Sequence, residues 1–436
     1  MASEARRRSL AVLKGIERGR PLAARFEKAV AGLEDERDRA LVHELVLGSL
    51  RRRGWLDHVL AGLSSRPLHT LAPGVREALR LGAYQLLFTR VAPHAAVSES
   101  VELAREEEPR ASGFANAVLR RLQRDGPPVE PDASADPLAW LCTAGSLPAW
   151  LAERWLAQLG PARAIERARA ALEAPSTFVR LNPRVATARE ELAAAGVELA
   201  AAPVPGAFRA TGAPLGPFAE RGLLYVQDQG SQLVARLAAA EGLVLDACAA
   251  PGGKAMLLSD LAERPTTRVV AAEVSLPRMA VLRRLVRRWG ATRVLEVAAD
   301  ALQPPFRREF DSVLLDAPCS GLGTLARNPD IRWRLAPEDV ERHAARQRAL
   351  IASVARCVRA GGRLVYAACS LEPEETSGLV DGFLAAQPGF VREPLPDWAR
   401  PFAHGVAHGV ARDGRLELEP FDHASDGFFA AGLRRL

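Results

Sequence analysis

The chain has 436 residues, of which 48% are hydrophobic and 25% charged, and its net charge is +6. This length is sufficient for two or three domains, and the composition is typical of a soluble globular protein rather than a disordered one. No apolar run reaches membrane-spanning length, and the amino terminus lacks the apolar core of a signal peptide. We therefore expect a cytoplasmic protein.

The positive charge is concentrated in the first 124 residues. This segment has 22 lysines and arginines against 15 acidic residues, whereas the remainder has 36 basic and 37 acidic residues. A basic segment beside a nearly neutral one favours a polyanionic partner, above all a nucleic acid, although such charge can also serve solubility alone.

Residues 6–123 have helical periodicity throughout. Apolar side chains such as Val42, Leu45 and Leu50 recur on one helical face,. We predict an all-α bundle over residues 1–124. Residues 125–147 are rich in proline and acidic residues and predict an interdomain linker,.

Helix and strand patterns alternate in the segment that follows. The stretch 148–160 predicts a helix that ends at Gly160, residues 177–182 a strand, and residues 186–195 a second helix,. We predict a small α/β lobe over residues 148–220, and a further domain over residues 221–436.

Five strands are predicted in this last domain, and each ends in a chemically useful residue. The strands begin near residues 243, 268, 293, 311 and 362. The acids and thiols at their ends are Asp246, Glu273, Asp300, Asp316, Cys319 and Cys369. Because ligands of open α/β sheets bind at the carboxyl ends of the strands, we expect a site at this edge. For any single acid, a solvated strand end is the simpler interpretation.

A glycine-containing loop follows the first of these strands. It is Asp246-Ala-Cys-Ala-Ala-Pro-Gly-Gly-Lys254, and an amphipathic helix begins at Lys254. Glycines and unpaired amides at a helix start suit a close anionic ligand. The loop lacks both G-x-G-x-x-G and the P-loop pattern, so alone it is equally typical of a tight turn. Glu273, twenty residues after Gly253, stands where nucleotide-type sites place a ribose partner,.

Two further motifs complete the edge, Asp316-Ala-Pro-Cys-Ser-Gly-Leu-Gly-Thr324 and Tyr366-Ala-Ala-Cys-Ser-Leu-Glu-Pro-Glu-Glu375. Together with the loop, they resemble three motifs of the S-adenosylmethionine-dependent RNA 5-methylcytosine methyltransferases, in the same order. The resemblance covers nearly the whole chain. It is greatest to the bacterial ribosomal small-subunit enzymes with a helical N-terminal extension. The N-terminal helices resemble the RNA-binding domain of the N-utilisation antitermination factors. This resemblance implies an RNA-docking module, and a structural cap is the alternative.

This resemblance implies a Rossmann-like class I methyltransferase domain with a mostly parallel sheet, and S-adenosylmethionine as the methyl donor. The residues that would contact the donor are Cys248, Ala249, Ala250, Pro251, Gly252, Gly253, Lys254, Glu273, Asp300 and Asp316. The loop suits the methionine carboxylate, Glu273 the ribose hydroxyls and Asp300 the adenine amino group. The family usually has aspartate where this chain has Glu273.

The chemistry of cytosine explains why the site would need cysteine. C5 is a poor nucleophile, and a thiolate that adds to C6 makes C5 electron-rich enough to attack a methyl group. Cys319 and Cys369 are both candidates on chemical grounds, although strand-end thiols are often only packing groups. The resemblance implies that Cys369 is the nucleophile and that Cys319 assists loss of the C5 proton and release of the RNA. It also implies that Asp316 binds the amino or N3 edge of the base. The family usually has threonine where this chain has Ala368.

The remaining patterns argue against other kinds of site. The five cysteines show no C-x-x-C spacing, and His404 and His408 have no neighbouring cluster of ligands, so we expect no metal. We also expect a monomer that binds small-subunit ribosomal RNA. Two alternatives stay open: the same chemistry on transfer RNA, and a non-catalytic RNA-binding assembly factor. Amino-group methylation is disfavoured because its Asn/Asp-Pro-Pro-aromatic motif is replaced by Asp-Ala-Pro-Cys.

Overall fold

The computed structural model describes residues 2–307, 309–402 and 414–436. The chain forms two compact units. The first comprises the residues up to Ala174 together with Leu325–Pro337, and the second comprises Pro175–Thr324 and Glu338–Leu436. The chain therefore leaves the second unit after Thr324 and returns to it at Glu338.

The first unit is all-α, which confirms the predicted N-terminal bundle. Its main helices are α1 (Glu4–Glu17), α2 (Leu22–Val30), α3 (Glu36–Arg51), α4 (Arg53–Leu63), α5 (Pro73–Phe88), α6 (Pro93–Glu107), α7 (Ser112–Asp125), α8 (Pro137–Cys142) and α9 (Ala149–Leu172). Helix α5 lies at the centre and packs against α1, α3, α4, α6 and α7. In the described part of the chain, no helix is both long and apolar enough to cross a membrane.

The predicted linker differs from the structure in its second half. Helix α8 begins there because the Asp136 carboxylate accepts a hydrogen bond from Ala139 N at 2.9 Å, and Pro137 occupies the first helical position, where its missing N–H is not needed. The acid and proline that suggested a linker are therefore helix-start signals.

The predicted boundary at residue 148 also differs from the observed division. Helix α9, predicted to open the small lobe, belongs to the first unit. The predicted helix end at Gly160 is confirmed: φ of Gly160 is 72°, outside the helical range, and a second helical segment of α9 begins at Pro161. Proline is tolerated at the start of a helix because the backbone N–H groups of the first turn have no intrahelical hydrogen-bond acceptor.

The segment Leu325–Pro337 joins the first unit through buried polar contacts. It contains α15 (Ile331–Arg334). The fully buried Arg332 guanidinium donates to the carbonyl oxygens of Ser146 at 3.2 Å and Ala171 at 2.9 Å. Trp333 Nε1 donates to Leu50 O at 2.8 Å. A segment that follows a sheet-edge motif in sequence is thus part of the helical unit, which the sequence pattern did not predict.

The second unit begins with a small lobe. Its strands are β1 (Phe178–Leu181), β2 (Val197–Ala201), β3 (Phe208–Gly212) and β4 (Leu224–Val226), and its helices are α10 (Ala188–Ala194) and α11 (Gly216–Glu220). The strands form an antiparallel sheet in the order β2-β3-β1-β4. Because β4 pairs with β1, the lobe extends beyond the predicted boundary at residue 220.

A large sheet forms the rest of the second unit. Its strands are β5 (Leu243–Asp246), β6 (Arg268–Glu273), β7 (Val294–Ala298), β8 (Phe310–Asp316), β9 (Val358–Ala368), β10 (Phe390–Arg392), β11 (Arg415–Leu418) and β12 (Phe428–Arg435). The helices are α12 (Gln229–Ala238), α13 (Gly253–Leu261), α14 (Leu276–Trp289), α16 (Pro337–Val354), α17 (Ser377–Ala386) and α18 (Pro420–His423).

The order of these strands confirms the predicted Rossmann-like architecture. It runs β10-β12-β9-β8-β5-β6-β7, with β11 paired to β12. Strands β5 to β9 pair in parallel, and β10, β11 and β12 are antiparallel. The chain order reverses on either side of β5, which lies between β6 and β8. A ligand site is expected at such a switch point, at the carboxyl ends of the strands.

A buried arginine of the small lobe bonds to the elements that flank the large sheet. Arg180, on β1, pairs with Asp260 at 2.7 Å and donates to Gly253 O at 3.1 Å. Its guanidinium carbon also lies 4.3 Å from the centre of the Trp289 ring. Arg180 thereby fixes the lobe against the start of α13, next to the glycine-containing loop.

A buried ion-pair network stabilises the first unit. Arg80 donates to both carboxylate oxygens of Asp57 at 2.7 Å and to Glu17 at 2.9 Å, and it also contacts Glu77. Burial opposes ionisation of Glu17, but Arg53 and its other arginine partners outweigh this and lower the pKa of that carboxyl to about 2. Arg80 is thus the shared cation of three carboxylates.

Replacing this cation should be costly. Arg80→Met is expected to lower the free energy of unfolding by about 3–5 kcal/mol, because it leaves the buried Glu77 carboxylate without its ion-pair partner,. Glu17 keeps its pairs with Arg53 and Arg76. Urea unfolding followed by helical circular dichroism measures the change. The control is Arg105→Met, which removes an exposed pair with Glu102 and should leave stability nearly unchanged. Equal effects of the two substitutions would contradict the assigned role of Arg80.

Candidate active site

A cavity of about 280 Å³ lies at the carboxyl edge of the large sheet, around the switch point. It is lined by Ala247, Cys248, Ala250, Glu273, Val274, Arg278, Ala299, Asp300, Ala301, Asp316, Ala317, Pro318, Cys319, Arg346, Leu350 and Cys369. Seven of the predicted site residues are therefore brought together from the ends of five strands. The other predicted residues, Ala249, Pro251, Gly252, Gly253 and Lys254, do not line this cavity.

The predicted loop connects β5 to α13, as the sequence pattern indicated. Gly252 has φ of +117°, a conformation that an L-residue with a side chain rarely adopts. A Cβ at Gly253 would lie 2.6 Å from the Tyr225 ring. The two glycines thus allow the turn and the close packing that bring the first amides of α13 to the sheet edge.

Two acids follow the strands β6 and β7, which lie on one side of β5 in the sheet. Glu273, at the end of β6, is 3% exposed; its carboxylate accepts from Ser275 N at 2.9 Å and lies 3.6 Å from Arg278 Nη1. Asp300 is exposed, and its carboxylate accepts from Leu302 N at 2.9 Å. Both carboxylates are oriented by a backbone amide two residues further along the chain. Their oxygens are suited to accept hydrogen bonds from hydroxyl or amino groups.

Lys254 and Asp316 form an ion pair between the loop and the end of β8. Lys254 Nζ donates to Asp316 Oδ2 at 2.7 Å, and the lysine side chain is 12% exposed. Burial disfavours the ammonium, but the neighbouring Asp316 outweighs this effect, so the pKa of Lys254 is raised. Lys254 Nζ also lies 5.6 Å from the centre of the Phe428 ring. The ammonium stays charged at neutral pH, beside the acid that lines the cavity.

Asp246, the last residue of β5, is fully buried and interacts electrostatically with both Asp316 and Lys254. Neither of its carboxylate oxygens has a hydrogen-bond partner among the described residues. Burial, followed by repulsion from Asp316, raises the pKa of Asp246 to about 7. The sheet edge thus holds a buried carboxyl group with a raised pKa, at one of the strand ends that the sequence indicated.

The two predicted cysteines meet. Cys319 Sγ and Cys369 Sγ are 3.2 Å apart, and both side chains are partly exposed. The hydrogen bond with Cys369, followed by burial, raises the pKa of Cys319 well above its usual range. The Cys319 sulfur therefore keeps its proton, while Cys369 lies within the electrostatic field of Lys254. Two thiols in contact with unequal environments are suited to divide nucleophile and proton-transfer roles.

Several residues of the site were missed by sequence reasoning. Arg278 Nη2 donates to Ala250 O at 2.7 Å and so connects α14 to the loop. The fully buried Glu375 accepts a hydrogen bond from Ser320 N at 2.7 Å, in the loop that carries Cys319. These contacts join segments far apart in sequence, and no local pattern predicts them.

The two departures from the family pattern have different surroundings. Ala368 is fully buried in the apolar cluster of the sheet and pairs with Phe429 of β12. Glu273, in contrast, lines the cavity. The longer side chain of Glu273 can therefore contact a ligand directly. Ala368 can affect the site only through the packing of the sheet beneath it.

The described residues contain no group of three or more histidine, cysteine or acidic side chains that could hold a metal ion. His404 and His408, which the sequence analysis considered, lie outside the described residues.

Comparison with protein families matches both parts of the chain. Residues 235–434 match the model described as 16S rRNA methyltransferase RsmB/F, and residues 3–124 match the NusB family. The ribosomal RNA small subunit methyltransferase B of Thermus thermophilus is 36% identical over 431 residues, covering 98% of this chain and 97% of its own. The enzyme of the same name from Sodalis glossinidius is 34% identical, covering 97% and 95% respectively.

A solved structure is also similar. The crystal structure of a methyltransferase homologue from Pyrococcus horikoshii superposes with a TM-score of 0.58 at 28% identity. It covers 71% of this chain and all of that one.

The buried carboxyl of Asp246 should make stability depend on pH. The pKa of an unfolded aspartate is about 3.9, whereas burial raises the pKa of Asp246 in the folded chain to about 7. Between these values the unfolded state binds fewer protons, so stability falls as pH rises and levels off above the folded pKa. The full loss corresponds to at most about 4 kcal/mol.

Asp246→Asn should abolish this loss, because asparagine does not ionise. Urea unfolding of the ligand-free protein and of the variant, from about pH 4 to about pH 8, measures how the free energy of unfolding of each depends on pH. We expect the variant's advantage to grow as the pH rises. Parallel curves for the two proteins would show that Asp246 ionises normally.

Proposed function

The chain belongs to the 16S rRNA methyltransferase RsmB/F family, and we propose that it methylates C5 of a cytosine in small-subunit ribosomal RNA through a covalent cysteine–C6 intermediate. The observation that carries this proposal is the contact between Cys319 and Cys369, 3.2 Å apart in a cavity that the loop and Glu273 also line. Methyl transfer to an amino group would require neither thiol.

The residues at the sheet edge fit S-adenosylmethionine. The loop lines the cavity at Cys248 and Ala250 and would hold the methionine moiety there. The amides at the start of α13, directly behind the loop, would favour its carboxylate, since a helix start favours an anion. Glu273 would accept hydrogen bonds from the ribose hydroxyls, and Asp300 from the adenine amino group. When bound, S-adenosylmethionine supplies the electrophilic methyl group, which leaves its sulfonium as the bond to C5 forms.

Cys369 would begin the reaction as a thiolate. Its sulfur adds to C6 of the cytosine, and the C5–C6 π electrons move to C5, which becomes nucleophilic. The Lys254 ammonium interacts electrostatically with Cys369 and would remain beside the reacting sulfur as a cation. Asp316 lines the cavity and would accept a hydrogen bond from the amino or protonated N3 edge of the base.

Cys319 would act in the second half of the reaction. The largest cause of its raised pKa is the hydrogen bond with Cys369, and this bond weakens once the Cys369 sulfur is bonded to C6. Cys319 then loses its proton to solvent and accepts the proton from C5. The electrons of the broken C5–H bond restore the double bond, and the C6–S bond breaks to return the Cys369 thiolate.

The N-terminal helices support an RNA substrate. They match the NusB family and carry a net positive charge, with 22 basic against 15 acidic residues over residues 1–124. The lysines and arginines would pair with phosphates and make the affinity for RNA fall with salt. The printed names of the relatives favour small-subunit ribosomal RNA as the target.

Cys369→Ala should abolish methylation and spare binding of S-adenosylmethionine. Without the thiol there is no route to an activated C5, so we expect the turnover rate to fall by roughly 10⁴-fold or more. Transfer of labelled methyl to RNA and equilibrium dialysis of the donor measure the two properties. Cys142→Ala, in α8, is the control and should retain full activity. Retained activity in Cys369→Ala would eliminate the nucleophile assignment.

Cys319→Ala should produce a different defect. Cys369 can still add to C6, but the methylated adduct is not resolved, so enzyme covalently linked to RNA is expected to accumulate. A denaturing gel with labelled small-subunit RNA detects this species as a band of reduced mobility. Turnover at the normal rate without the adduct would remove Cys319 from the release step.

A further inference from the structure

A fully buried carboxylate lies behind the two cysteines. Glu375 has no exposed surface, and its oxygens accept hydrogen bonds from Ser320 N at 2.7 Å, from Ser320 Oγ and from Gln347 Nε2 at 3.2 Å. No lysine or arginine among the residues that the structure describes pairs with it. Because an unpaired buried carboxylate requires several donors, these three hydrogen bonds are what keep Glu375 in place.

The donors to Glu375 belong to the chain on both sides of Cys319. Ser320 follows the cysteine directly, and Gln347 also donates to the carbonyl of Pro318, which precedes it, at 3.0 Å. The loop around Cys319 is thus held on both sides of the cysteine: Gln347 binds the carbonyl of Pro318, and Glu375 binds the amide of Ser320. Neither Glu375 nor Gln347 lines the cavity.

The same network reaches the second cysteine. Ser320 Oγ lies 3.4 Å from Ser370 Oγ, and Ser370 follows Cys369 directly. Gly323 N, further along the first loop, donates to Cys369 O at 3.1 Å. The residues after each cysteine are therefore hydrogen-bonded to each other, and Glu375 terminates the network.

The charge of Glu375 has a second consequence. It adds to the effects that raise the pKa of Cys319, after the hydrogen bond with Cys369 and burial. A sulfur with a raised pKa is the stronger base once it has lost its proton. An amide at this position would hold the loop less firmly and supply no such field.

We propose that Glu375 is a positioning residue for release of the RNA: through Ser320, it holds the Cys319 sulfur against Cys369 in the place where it accepts the C5 proton. This inference rests on the proposed function. Glu375 touches neither RNA nor the methyl donor, and acts only through the Cys319 loop.

The variant Glu375→Gln tests this role. It keeps the shape of the side chain but removes the charge and one acceptor. We expect the turnover number to fall roughly tenfold or more, with the affinities for S-adenosylmethionine and RNA unchanged, and covalently linked RNA to accumulate as in Cys319→Ala. A purely structural role would lower activity together with the folded fraction, without the adduct.

Glu341→Gln, in α16, is the control: it removes the charge of an exposed glutamate that pairs with the exposed Arg348, and it should behave like the unmodified protein. If Glu375→Gln does not fold, as judged by loss of S-adenosylmethionine binding, Ser320→Ala replaces it. That variant retains the amide donor to Glu375 but loses the hydroxyl, so a smaller accumulation of adduct is expected.

The outcomes separate the two proposals. Adduct in Cys319→Ala but not in Glu375→Gln or Ser320→Ala would overturn the role of Glu375 and leave the mechanism intact. Absence of adduct in Cys319→Ala itself would contradict the covalent mechanism. Adduct in all three variants, with none in Glu341→Gln, is the result that we expect.

Discussion

The register between two neighbouring parallel strands determines where the chemistry can occur. In β8 and β9, Asp316 is paired with Ala367, so the residues that follow each strand emerge at the same level of the same sheet edge. Cys319 and Cys369 come three and two residues later, and their sulfurs meet at 3.2 Å. A shift of one residue in this pairing would turn the side chains to opposite faces and separate the thiols. The remaining features of the site support this contact.

The Lys254 ammonium is central to the electrostatic balance at the sheet edge. Lys254 pairs with Asp316 and lies near Cys369, while Asp246 is buried without a partner below them. The ammonium offsets a group of carboxylates that would otherwise repel one another. Its position is fixed by the loop glycines, and through Arg180 by the small lobe. In the proposed mechanism the loop therefore has two tasks, since it presents amides to S-adenosylmethionine and holds the Lys254 ammonium beside Asp316.

The sequence was sufficient to predict the fold class and the five strand ends, because each strand is a short apolar run followed by a turn or an acid. The all-α N-terminal bundle and the parallel sheet were confirmed. The destination of Leu325–Pro337 could not be predicted, since Arg332 binds backbone carbonyls of helices far away in sequence. The role of Asp136 and Pro137 was misjudged because residues typical of linkers also start helices. The sequence placed Glu375 in a motif but did not predict its contact with the Cys319 loop, because its partner Ser320 lies 55 positions away.

The most direct test of the account is the transfer of labelled methyl from S-adenosylmethionine to small-subunit ribosomal RNA and, separately, to bulk transfer RNA, followed by identification of the labelled nucleoside. We expect 5-methylcytidine in the ribosomal RNA and no label in the transfer RNA. Label only in transfer RNA would contradict the target, N4-methylcytidine would contradict the use of the two cysteines, and no label in either RNA would support the assembly-factor alternative.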